Sequence, residues 1–199
     1  MDIRTVKTNR DLKNAYLELS AQMLPSKITV AELSKAALVN KTTFYRHYKD
    51  IEEFADLVEQ EAFDGFIQGL NDSDKLLTDP KSFLTSLMGH MFANESDLLV
   101  FRGKQDSLLA KLANFLSDRY IEETSSITKI NEITFIIGGL INSLGSFIYT
   151  TDRSVESQAK FIKDNSEIIS KITNNNETKE QIQPRQPQRP YFSDKSFWK

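Results

Sequence analysis

The chain has 199 residues, 39% of them hydrophobic, which is room for one small and one moderate domain with a buried core. Seven Gly and five Pro argue against a turn-rich β protein, and the lack of Cys excludes disulfides, thiolate metal sites and a Cys nucleophile. The net charge of −3 conceals an asymmetry: residues 1–50 hold nine Lys/Arg against five Asp/Glu, and the remainder 16 against 23, so a basic end is joined to an acidic body.

In chain order, MDIRTVKTNRDLKNAY is charged throughout, without the apolar run of a signal peptide, and no later stretch is read as a membrane span. This implies a cytoplasmic protein. Residues 1–8 read as a mobile arm. From about Asn9, Leu12, Ala15, Tyr16, Leu19 and Met23 recur at helical spacing up to Pro25. Thr29 with Glu32 three residues on predicts a capped short helix with Val30, Leu33 and Ala37 on its apolar face. Asn40 can cap a second segment, Lys41 to His47, whose Phe44 and Tyr48 share a face. Two short helices around a tight turn, the second rich in cations and hydrogen-bonding groups, form a helix-turn-helix sized for a DNA major groove.

Asp50 caps a long helix, IEEFADLVEQEAFDGFIQGL, with Glu52 and Glu53 in its first turn, where the helix dipole favours negative charge. The polar linker Asn71 to Pro80 follows, then helical segments from Ser82 to Ala93, through Leu98 to Phe101, and from Gln105 to Glu123. Ile130 to Tyr149 is the most apolar segment and asks for cover on more than one side; its Gly138, Gly139 and Gly145 would let another helix come close. A last helix runs from Val155 to Ile172. The end, 174–199, is rich in amides and Pro and reads as a disordered tail, although it carries Tyr191, Phe192, Phe197 and Trp198. The expected architecture is all-α: a helix-turn-helix domain at 1–50, a helical regulatory and dimerisation domain at 51–173, and the tail.

KTTFYRHYKDIEEF (Lys41 to Phe54), preceded by ITVAELSKAA (Ile28 to Ala37), resembles the DNA-binding domain of TetR/AcrR-type bacterial repressors. The resemblance covers about the first 60 residues; beyond them only length and helical pattern agree. Two departures stand out. Leu38 occupies a turn position where many members have Gly, which implies a different turn or backbone strain. Ile51 replaces a Lys, leaving Lys49 as the nearer phosphate contact.

Reach assigns the roles on DNA. Lys41, Thr42 and Thr43, in the first turn of the recognition helix, face base edges, while Thr29, Tyr45, Arg46, His47 and Lys49 suit phosphate. The resemblance implies a homodimer on a palindromic operator of double-stranded DNA, with Ile137, Leu140, Ile141, Leu144, Phe161 and Ile168 at the contact between copies. It also implies a small apolar or amphipathic effector, with Phe63, Phe66, Phe83, Met88, Met91, Phe92, Phe101 and Phe115 lining its pocket. Binding would tilt the long helix and move the heads off the roughly 34–36 Å spacing of successive major grooves. No cofactor or metal is expected: the histidines, His47 and His90, lie far apart, and no catalytic motif is present. The alternative is a protein-interaction module with weak or no DNA binding, acting through the helical body or the aromatic tail.

Overall fold

The computed structural model describes residues 3–121, 124–150 and 152–174, so the tail beyond Asn174 lies outside the described residues. Among those residues every regular element is a helix. These are α1 (Ile3–Gln22), α2 (Val30–Ala36), α3 (Lys41–Tyr45), α4 (Ile51–Gly69), α5 (Pro80–Ala93), α6 (Glu95–Leu98), α7 (Gln105–Tyr120), α8 (Ile127–Tyr149) and α9 (Val155–Asn174), with 3₁₀ turns at Pro25–Lys27 and Leu99–Phe101. α1 begins at Ile3 rather than near Asn9, because no Gly or Pro interrupts residues 3–10 and the helix propagates through them. α3 is shorter than the expected Lys41 to His47; its end is a turn in which the His47 and Tyr48 N–H groups both donate to the Phe44 carbonyl.

The described residues fall into two compact units. Among the described residues, the first holds those up to 67 together with 93–105, and the second holds 68–92 together with those from 106 to 174. Most of α4 therefore belongs with the helix-turn-helix, where Phe54, Ala55, Val58, Phe63 and Phe66 are buried. The segment between α5 and α7 also joins that unit: Lys104 is paired with the buried Glu59 of α4 at 2.8 Å, and Arg102 donates to the Ala21 carbonyl at the end of α1.

The second unit is built on α5, α7, α8 and α9. Phe83, Leu84 and Leu87 of α5, Leu112 and Leu116 of α7, and Ile133, Ile136 and Leu140 of α8 form its core. Gly145 lets α8 come close to the Leu109 side chain of α7, since a Cβ there would lie 3.1 Å from Leu109 Cδ1. Gly138 and Gly139 face open space instead. By length and hydropathy α8 would pass as a membrane span, against the sequence reading, but its apolar face packs inside this unit and its other face carries Asn131, Thr134, Asn142 and Ser146. The residues expected between copies differ in exposure within the single chain. Ile137, Leu140, Leu144 and Phe161 are buried by their own chain; Ile141 is half-buried and Ile168 is 55% exposed.

Tyr120 ties the linker to this core. Its hydroxyl accepts from Leu76 N–H and donates to the Ser73 carbonyl, each at 3.0 Å, with Leu76 and Tyr120 both buried. Tyr120→Phe should orphan both backbone groups and lower the free energy of unfolding by roughly 1–3 kcal/mol in urea titrations. Burial pushes the phenols of Tyr16 and Tyr120 from 10 up to about 12. The folded chain thus holds these protons more tightly than the unfolded one, so their contribution is complete below pH 10 and is lost as pH rises toward 12. Alkaline unfolding followed by circular dichroism should be shallower in a Tyr16→Phe, Tyr120→Phe double variant.

Candidate nucleic-acid interface

The helix-turn-helix is assembled by local hydrogen bonds. Thr29 Oγ1 accepts from Glu32 N–H at 3.3 Å and the Glu32 carboxylate takes Thr29 N–H at 2.9 Å, a complete capping box. The Thr29 hydroxyl also donates to Glu32 at 2.7 Å. Bonds from the Thr29 side chain and backbone hold the Glu32 carboxyl below its usual range. At the other end of α2, Val39 N–H reaches the Ser34 carbonyl and Leu38 N–H the Lys35 carbonyl, the pair of bonds of a Schellman turn. Leu38 occupies its left-handed position with φ 55°, so the turn has the shape glycine normally supplies and the leucine backbone carries the strain. Such a conformation costs a side-chain-bearing residue about 1–2 kcal/mol. Asn40 then caps α3 by accepting from Thr42 N–H at 2.9 Å.

An aromatic cluster locks α3 against the rest of the unit. Phe44 and Tyr48 point inward, with ring centroids 5.8 and 4.8 Å from Phe54 at the start of α4, and Tyr16 of α1 stands 5.6 Å from the same ring. These are edge-on arrangements, favourable for rings and specific in angle. With that face fixed, the residues expected on DNA turn outward: Lys41, Thr42, Tyr45, Arg46, Lys49 and Thr29 are exposed, and Thr43 and His47 half-buried. Arg46 donates to Thr43 Oγ1 at 3.3 Å, linking a cation to a half-buried hydroxyl on the same side of α3. Lys49 N–H donates to Glu53, and Asp50 caps α4 by accepting from Glu53 N–H at 2.9 Å, which fixes the corner after α3. Exposed Lys35, on α2, adds a cation that was not among the expected contacts.

The expected pocket residues fall in different units. Phe63, Phe66 and Phe101 belong to the first; Phe83, Met88, Met91, Phe92 and Phe115 belong to the second. All are buried except Met91 and Phe92, which are half-buried. The first unit contains a cleft of about 270 Å³ between α1, α4 and α6, lined by Lys13, Leu17, Glu61, Ala62, Gly65, Phe66, Asn94, Asp97 and Leu98. Phe66 is its single representative from the sequence-expected set. Lys13 and Glu61 are ion-paired there at 2.7 Å. No sequence signal marks this cleft, because its residues come from three separated segments. His90 packs its ring over Gly69, where a Cβ would lie 2.5 Å from the imidazole. Among the described residues no group of three or more His, Asp or Glu is placed to hold a metal ion.

No family model matches the chain, and no curated protein matches it. Solved structures do. The chain is 17% identical to the dihydroxyacetone kinase operon activator DhaS, over 84% of this chain and 93% of that one, with a TM-score of 0.43. It is 12% identical to a protein described as a transcription regulator from Lactobacillus plantarum, over 79% of this chain and 97% of that one, with a TM-score of 0.44. At these values neither comparison transfers a function.

Phe54→Ala removes the ring that Phe44, Tyr48 and Tyr16 share. It should cost about 3–5 kcal/mol, and amide hydrogen exchange should show loss of protection concentrated in residues 40–48.

Proposed function

We propose that the chain is a homodimeric, DNA-binding transcription regulator acting as a repressor. It grips a palindromic operator with α3 of each copy and releases it when a small apolar or amphipathic effector enters the helical body. The observation that supports this most is the division of α3 into two faces, with Phe44 and Tyr48 held by Phe54 and a row of cations and hydroxyls left in solvent. Lys41, Thr42 and Thr43 supply donors and methyl groups for base edges; Tyr45, Arg46, His47 and Lys49 supply phosphate contacts and hence salt dependence. Thr29 can serve a phosphate only in competition with Glu32, which already takes its hydroxyl proton.

Association of two copies in this reading uses the outward side of α8 and α9. There Phe135 is 71% exposed, Tyr149 and Ile168 stand out, and Gly138 and Gly139 leave space for a neighbouring helix. Paired heads matter energetically, because a single helix-turn-helix makes too few contacts for useful specificity. The effector reading draws on the half-buried Met91 and Phe92 and on the family resemblance.

Lys41→Ala combined with Thr43→Ala should weaken binding to a selected palindromic duplex by more than about tenfold in gel-shift titrations, with circular dichroism unchanged. Unaltered affinity would refute the assignment of α3. Phe135→Asp with Ile168→Asp should yield monomers in sedimentation velocity while keeping helix content, and operator affinity should drop with it; a dimer that survives would move the association surface elsewhere.

A further inference from the structure

Leu38 combines two costs that normally exclude each other. Its backbone is in the left-handed region, φ 55°, where Cβ crowds the following carbonyl, and its side chain is 94% exposed, so almost no packing compensates. Asp72, the other described non-glycine residue with positive φ, is of a type that enters this region readily. A Gly or Asn would close the same Schellman turn with less strain. A strained leucine presented to solvent therefore gains nothing inside its own chain.

Its location suggests where the gain lies. Leu38 sits two residues before Asn40, the cap of α3, and three residues from exposed Lys35 on one side and exposed Lys41 on the other. A polyanion approaching those cations would meet the leucine at the same time, whereas an apolar protein surface would have to strip water from both lysines. The end of α3 that leads into a major groove is also the end next to this turn.

We propose that Leu38 is a DNA contact. Its isobutyl group lies against apolar duplex surface at the groove edge, either deoxyribose or a thymine methyl, and is maintained there at the expense of the stability of the turn. This rests on the DNA-binding reading above. It adds an apolar anchor to a set of residues otherwise polar or cationic.

The test uses the full chain, its Leu38→Gly and Leu38→Asn variants, and a duplex selected by the wild type from a random pool. The expected result is divergence: Leu38→Gly raises the midpoint of thermal unfolding by about 2–4 °C, while both variants bind the duplex at least about fivefold more weakly. The slope of log affinity against log salt should stay as in the wild type, because no charge is removed. Replacing thymine by deoxyuridine separates the two duplex surfaces. Weakening at one position for the wild type but not for Leu38→Gly assigns the methyl, and indifference to the replacement assigns the sugar. Wild-type affinity in both variants overturns the contact and leaves the DNA-binding reading intact. A lowered unfolding midpoint in Leu38→Gly overturns the claim that the leucine is held against stability. A wild type that selects no duplex overturns both readings before any variant is made.

Discussion

The ring of Phe54 is the constraint on which the first unit depends. One side chain at the start of α4 meets Phe44 and Tyr48 from the α3 region and Tyr16 from α1, and each contact is angular rather than merely greasy. Because the inward face of α3 is fixed this way, its outward face has no freedom to rotate into the protein. The exposure of Lys41, Thr42, Tyr45 and Arg46 is thus a result of apolar packing behind them. A surface of five helical residues could not hold an orientation by its own backbone bonds, since helices this short are unstable alone.

Polar contacts then set the ends of the elements. The capping box of Thr29 and Glu32, the Asn40 cap and the Asp50 cap each satisfy backbone N–H groups that would otherwise be left to solvent, and they determine where α2, α3 and α4 begin. The exception is the end of α2, where geometry prevails over side-chain preference and a leucine accepts the conformation of a glycine. Strain of this kind is informative because the surrounding hydrogen bonds to Ser34 and Lys35 show that the turn itself is regular.

The second unit is organised differently, by interdigitated aliphatic layers with one polar clamp at Tyr120. Its helices bury one side of α8 and leave the other with Phe135 and two open glycines. That asymmetry answers the compositional question raised by α8, a segment apolar on more than one face: part of the excess is consumed by α7 and α9, and part remains on the surface.

The sequence determined most of the local structure. The Thr29 and Asn40 caps, the inward Phe44 and Tyr48 and the limits of α4 were legible because each rests on contacts within a few residues. The start of α1 was misplaced for a reason also local, since an absence of breakers says less than a cap does. What only the tertiary structure decided were matters of long-range partnership. Residues 93–105 join the first unit through Glu59 and Ala21, partners 45 and 81 positions away along the chain. Ile137, Leu140, Leu144 and Phe161 are buried within the single chain, which helical periodicity could not foretell, because it marks an apolar face without saying what covers it. The open cleft between α1, α4 and α6 has no counterpart in any motif, because its shape is the space left among three elements that meet only in the folded chain.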